Sequence, residues 1–314
     1  MSKHLKIDSI DNYNKLTDFD LAVFDSFRKS INRFRERPLL YFTESDIHSF
    51  LQSDLIQSNI KLFIHEKRKI SLVHLEYPTN FRYKKQMLLK GYPRYLPENS
   101  ETNIDSKTGD RGNFDLTILN PGFIDMIFKC FHNEDIAIEH IINKDVTRAC
   151  ERLNNANYNT TINDGILAKK QFNREIKYAV EVKFIHRFNA RNINMLKEIV
   201  KDNEKLRLAY LHSNHFIRPI NLIFCSSVSK SRSDKQDPVI KRIKDYIIKG
   251  KTFEFNKVRP KFIPEGVVNI FIESYFSEKK KTTLKPIVSC KKPKQWVKDF
   301  CDILNIDLNE LMYS

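Results

Sequence analysis

Apolar positions along the chain fall into two periods. Residues 178–185, Tyr178-Ala179-Val180-Glu181-Val182-Lys183-Phe184-Ile185, form a β-branched, aromatic run that predicts a buried strand. Side chains two apart share a face, so Val180, Val182 and Phe184 point one way and Glu181 and Lys183 the other. Residues 114–119 repeat the pattern with a single acid, Asp115. Further strands are predicted over 70–77, 219–224, 266–276 and 284–290. Helical spacing marks 12–36 (Leu16, Phe24, Phe27, Ile31, Phe34), ended by Pro38. It also marks 43–55 (Ile47, Phe50, Leu51, Leu55), with Thr43 as N-cap and acids in the first turn. Three more helices are predicted over 191–208, 239–248 and 295–312, the last with Trp296, Val297, Phe300, Ile303 and Leu304 on one face.

Charged groups on an apolar strand cost free energy unless something neutralises or uses them. Here one strand carries an acid and a later one carries Glu-x-Lys. Asp115 with Glu181-Val182-Lys183 resembles the active-site signature of the PD-(D/E)xK, or restriction-endonuclease-like, nuclease superfamily. The order of helices and strands over residues 39–225 is similar as well. The resemblance implies an α/β fold, a mixed β-sheet flanked by helices. It implies metal-dependent hydrolysis of DNA phosphodiester bonds with catalytic residues Asp115, Glu181 and Lys183. Asp115, Glu181 and the backbone carbonyl of Val182 would hold Mg²⁺, with Mn²⁺ able to substitute. In some relatives an acid of the first core helix reaches the metal. Glu44 is the candidate here, although a dipole-favouring acid at a helix start is the simpler account. Glu76, at a strand end before Pro78, is either a further ligand or an exposed acid.

The signature has a rival and an irregularity. Glu175-Ile176-Lys177 is a second Glu-x-Lys, with less apolar neighbours than Glu181-Val182-Lys183. Between Asp115 and Glu181 lie 65 residues, where the superfamily often has a short hairpin. An insertion over about 120–176 is therefore expected, helical over 135–142 and 146–153 and asparagine-rich over 154–163. Before Asp115, Phe81, Arg82, Tyr83, Lys84 and Lys85, then Tyr92, Arg94 and Tyr95, interleave aromatics with bases, a mixture suited to stacking on bases and pairing with phosphates and suited equally to a hairpin with a partly buried face. A loop is expected over 97–112.

Composition narrows the partners. The 314-residue chain has a formal net charge of +15. Residues 226–298 hold 19 Lys or Arg against 7 Asp or Glu, so most of the excess sits in one segment. That asymmetry points to a polyanion, double-stranded DNA first, with Lys241, Arg242, Lys279, Lys280, Lys281, Lys291 and Lys292 as contacts. The expected organisation is a helical segment (1–38), a nuclease-like core (39–225) and a basic region (226–314). The last is either a small appended domain or an extension of the sheet.

Other chemistries lack their motifs. There is no GxxxxGK[ST], GxGxxG, GxSxG or HExxH, so ATP-driven work would need a partner ATPase or helicase subunit. Five dispersed cysteines without a CxxC suggest neither a disulfide framework nor a zinc site, and a cytoplasmic setting is expected. No apolar run reaches the about 18 residues of a membrane span. The expected function is an endonuclease, in restriction or antiviral defence by analogy and as a homodimer for double-strand cuts. The alternatives are a non-catalytic nucleic-acid-binding subunit of a larger complex, or cleavage of RNA.

Overall fold

A computed structural model describes residues 16–58, 60, 63–65, 68–79, 112–130, 174–186, 194–227, 238–250, 262–275 and 284–311. The expected helices at 135–142 and 146–153, the asparagine-rich loop, most of the aromatic and basic segment after Pro78 and nearly all of the 97–112 loop lie outside those residues.

The chain opens with α1 (Asp18–Glu36), a 3-10 turn (Pro38–Leu40) and α2 (Glu44–Gln57). Both helices start on capping boxes. The Thr17 hydroxyl accepts from the Asp20 N–H at 3.3 Å, and the Thr43 hydroxyl accepts from the Asp46 N–H at 3.2 Å. The Asp20 and Asp46 carboxylates bond back to the Thr17 and Thr43 N–H groups, satisfying donors that helix starts leave orphaned. α1 therefore starts later than its apolar spacing suggested, leaving Leu16 outside. The two helices are clasped by Arg33, whose guanidinium donates to both Asp54 oxygens at 2.9 and 2.6 Å.

β1 (Phe63–His65) and β2 (Arg68–Ile70) form a small antiparallel ribbon. A seven-stranded mixed sheet follows, made of β3 (Val73–Pro78), β4 (Asn113–Leu119), β5 (Ile176–His186), β6 (Arg218–Ser227), β7 (Val268–Tyr275), β8 (Ile287–Lys291) and β9 (Leu308–Leu311) in that order. β3, β4 and β5 are antiparallel neighbours, and β5, β6 and β7 run parallel. β8 is antiparallel to β7 and parallel to β9. The helices between are α3 (Pro121–Cys130), α4 (Asn194–His212), α5 (Pro238–Lys249) and α6 (Gln295–Leu304). The expected mixed sheet flanked by helices is what forms.

One face of the sheet is aromatic. Phe34 of α1 meets Phe184 and Phe224 with ring centroids at 6.2 and 4.9 Å, and Phe24 meets Phe300 of α6 at 4.6 Å. On the other face Ile185, Ile223, Cys225 and Phe271 pack with Ile199 of α4 and with Ile240, Ile243 and Ile247 of α5. Val182 and Phe184 thus face α1, as the alternation predicted, and Ile185 faces the opposite way.

Of the two readings of residues 226–314, the extension holds. β7, β8 and β9 continue the same sheet, and α6 packs on α1. The terminal helix is shorter than expected, because Asn305 adopts φ +54°, ψ +51° and ends it. The four residues of β9 then pair beside β8, too short a strand to stand out by alternation.

β5 carries a bulge at its start. Leu116, Thr117 and Ile118 pair with Val180, Ala179 and Tyr178, but Leu119 pairs with Ile176, so Lys177 is the extra residue. The bulge lets neighbouring Lys177 and Tyr178 both reach the buried Asp20 of α1. Lys177 Nζ lies 3.0 Å from Asp20 Oδ1, and the Tyr178 hydroxyl donates to that oxygen at 2.6 Å. Arg218 of β6 adds a third donor at 2.5 Å. Lys177, the lysine of the rival Glu-x-Lys, is therefore part of a buried structural network under α1.

Candidate active site at the β4–β5 divergence

The ladder between β4 and β5 reaches Leu116 opposite Val180. Beyond that pair the strands part, and β5 N–H groups that a continuing β4 would bind need other acceptors. Two carboxylates take them. Asp115 Oδ2 accepts from the Val182 N–H at 2.7 Å, and Glu44 Oε2 accepts from the Phe184 N–H at 3.2 Å. Residues two apart on a strand present their N–H groups to the same edge, so the acids sit side by side along β5. The first turn of α2 delivers Glu44, and one turn on His48 lies on the same helix face. His48 Nε2 is 3.9 Å from Asp115 Oδ2. One donor atom each from Glu44, His48 and Asp115 lies within 4.8 Å of the others, close enough to hold one cation.

Glu181 and Lys183 project from β5 into the same region, where α4 supplies opposite charges. Lys205 Nζ is 2.7 Å from Glu181 Oε1 and donates to the Asn113 carbonyl of β4 at 2.8 Å. Lys183 Nζ lies 3.3 Å from Asp202 Oδ2 and 3.5 Å from Glu44 Oε1. The result is a crossed pair of ion pairs between β5 and α4. Glu181 is 1 % exposed, and its Oε2 has no hydrogen-bond partner among the described residues. The buried Nε2 of His48 is likewise without one.

Electrostatics follow from burial and this charge mixture. Burial pushes the Glu181 carboxyl well above the usual carboxylate range; Lys205 opposes the shift, and Asp115 and Asp202 add to it. Burial also raises Asp202, to about 6, against the pull of Lys183 and Lys205. For Lys183 burial works against the charge, but Asp202 first, then Asp115, Glu44 and Glu181, hold the ammonium well above the ordinary lysine range. Lys183 is thus a fixed positive charge and not a proton acceptor.

A polar row extends from this site across the sheet. Register aligns Glu181 with Asn221, Asn269 and Ser289 on β6, β7 and β8, all buried. Asn221 donates to Asn203 of α4 at 3.0 Å, and Asn203 donates to the Tyr246 hydroxyl of α5 at 2.8 Å. Both amide atoms of Asn269 and the Ser289 hydroxyl lack partners among the described residues, places where internal water is the usual remedy.

Of the sequence candidates, Asp115, Glu181 and Lys183 come together. The Val182 N–H is taken by Asp115 while its side chain is buried in the core. Glu76 is exposed and has φ +50°, outside the β region that strand residues on either side adopt. Lys241 is exposed and Arg242 half-buried on α5. Lys291 ends β8, and Lys292 follows it, 3.0 Å from Glu265. Both lie level with the start of β5 and three strands away from it, whereas Lys183 is toward its end. Lys279, Lys280 and Lys281 lie outside the described residues.

Sequence reading assigned no site role to His48, Asp202 or Lys205. Glu44-x-x-x-His48 was legible as an i, i+4 pair on a capped helix. Asp202 and Lys205, three apart, had the appearance of an ordinary solvated face, and only the packing of α4 shows that they are buried. No helix among the described residues is long and apolar enough to cross a membrane. Compared with protein-family models, with curated proteins and with solved structures, the chain matches none of them.

Proposed function

We propose that this chain is a metal-dependent phosphodiesterase, an endonuclease acting on DNA. The observation that carries the reading is the meeting of Glu44, Asp115, Glu181 and Lys183, from three separate elements, where β4 and β5 part. The donor set fits a hard divalent ion. Two carboxylates and an imidazole lie within reach of one another, and the buried His48 Nε2 has no other partner among the described residues. Carboxylates favour Mg²⁺ or Mn²⁺, and the imidazole moves preference toward Mn²⁺.

When bound, such an ion supplies Lewis acidity and a water acidified for attack on phosphorus. The chain's residues do the rest. Glu44, His48 and Asp115 would hold the ion, with the buried Glu181 carboxyl close enough to Asp115 to feel its charge. Lys183, kept charged by Asp202, stabilises the extra negative charge that develops on the phosphate oxygens. Positive charge elsewhere on the chain raises the local concentration of DNA. Restriction or antiviral defence, a homodimer cutting both strands, and an ATP-driven partner belong to this proposal as its settings.

A second reading has its own observation. Glu181 and Lys183 already have opposite charges beside them, Lys205 and Asp202, so the site is partly compensated without an ion. That favours a non-catalytic nucleic-acid-binding subunit. Incubating the full chain with double-stranded DNA, single-stranded DNA and RNA separates the readings. Runs with Mg²⁺, Mn²⁺ and EDTA should show metal-dependent products, DNA above RNA. Retarded but intact nucleic acid in every lane would replace the enzyme with the binder.

A further inference from the structure

We propose that the Lys205 ammonium is a resident cation of this site, standing where a second metal ion would need to be, so that the site takes a single divalent ion. The inference rests on the metal-dependent reading above and adds its stoichiometry.

Lys205 Nζ lies between a carboxylate oxygen, Glu181 Oε1 at 2.7 Å, and a backbone carbonyl, Asn113 O at 2.8 Å. Carboxylate and carbonyl oxygens are the donors that hard cations seek, so the ammonium already has a cation's environment. The Lys205 side chain is 7 % exposed, which fixes it there. Neighbouring Leu206 and Leu208 are buried and anchor this part of α4. Glu181 therefore offers only Oε2 to a metal, on the same carboxyl group that Asp115 influences.

Charge counting gives the same answer. Among the described residues the site holds four acids, Glu44, Asp115, Glu181 and Asp202, and two ammonium groups, Lys183 and Lys205. With every acid ionised, the form a bound cation favours, the balance is two negative charges, which one divalent ion neutralises. A second would leave two positive charges in a largely buried site, where uncompensated charge is strongly disfavoured.

The test is Mn²⁺ binding to the full chain by calorimetry and electron paramagnetic resonance, with no nucleic acid present. Wild type and Lys205→Arg should bind one Mn²⁺ per chain. Lys205→Met removes the charge and keeps most of the bulk, so it should bind two, with the broadened signal of a paired ion. Two ions in wild type would overturn this inference and leave the metal-dependent reading standing. None in wild type would overturn both. One ion, bound with unchanged affinity by folded Lys205→Met, would overturn the role of Lys205. Should Lys205→Met fail to fold, one ion in wild type and Lys205→Arg supports the inference and two overturn it.

Discussion

The buried network under α1 makes a stability prediction that is independent of the chemistry. Asp20 is 0 % exposed and answers two cations, Lys177 and Arg218, whose side chains are 6 and 1 % exposed. Asp20→Asn keeps the size of the group and removes the negative charge that Lys177 and Arg218 face. Breaking a buried ion pair by removing one partner costs about 3–5 kcal/mol, and about 4 is taken here. Unfolding entropy near 2.1 cal/mol/K per residue, over the whole chain, comes to about 0.66 kcal/mol/K, so Tm should fall by about 6 °C. The effect also has a pH signature. Burial works to raise the Asp20 carboxyl, but Arg218 and Lys177, with the Tyr178 and Thr17 hydrogen bonds, bring it below its ordinary value. A carboxylate depressed in the folded state stabilises above its unfolded pKa, and that stability is lost as pH falls toward the folded value. Urea denaturation of wild type and Asp20→Asn at pH 6 and pH 3 should show the gap narrow at the lower pH. Tm values within about 1 °C at pH 6, or a gap that widens in acid, would refute this account of the network.

Two further outcomes follow from geometry. Gly266 has φ +77°, and a Cβ there would lie 2.6 Å from Tyr210 Cε1, so Gly266→Ala should destabilise by about 2 kcal/mol or more, read as a lower Tm in thermal melts. His48→Ala should weaken Mn²⁺ binding at least about tenfold, about 1.4 kcal/mol, in calorimetry, with Tm unchanged in the absence of metal. Equal affinity in that variant would take His48 out of the metal site.

How far the sequence went depended on range. Strand alternation placed Glu181 and Lys183 on one face and Val182 and Phe184 on the other, because the two-residue period is local. Thr43 was legible as a cap for the same reason, its partner being Asp46 three residues on. The contact that places Glu44 beside Asp115, with the Phe184 N–H, lies 140 residues away in the chain and was invisible to a local pattern. Favouring a helix dipole is a sufficient local reason for an acid at that position, and no local pattern separates it from a site residue. Asp202 and Lys205 were hidden similarly: a helix period shows which residues share a face, not which face a neighbouring strand covers. The bulge at Lys177 was invisible to alternation, since an extra residue changes facing without changing composition.

The central claim is that the acids and Lys183 gathered at the β4–β5 divergence hydrolyse phosphodiester bonds with a divalent ion. The most direct test is cleavage of supercoiled plasmid with Mg²⁺, with Mn²⁺ and with EDTA, wild type beside Lys183→Ala, with DNA binding measured in parallel. The account predicts metal-dependent nicking or linearisation by wild type. In Lys183→Ala it predicts that cleavage is abolished while DNA is still retarded, because the fixed charge at the phosphate is gone and the rest of the basic surface is intact. Cleavage persisting undiminished in Lys183→Ala, or proceeding in EDTA, would contradict it.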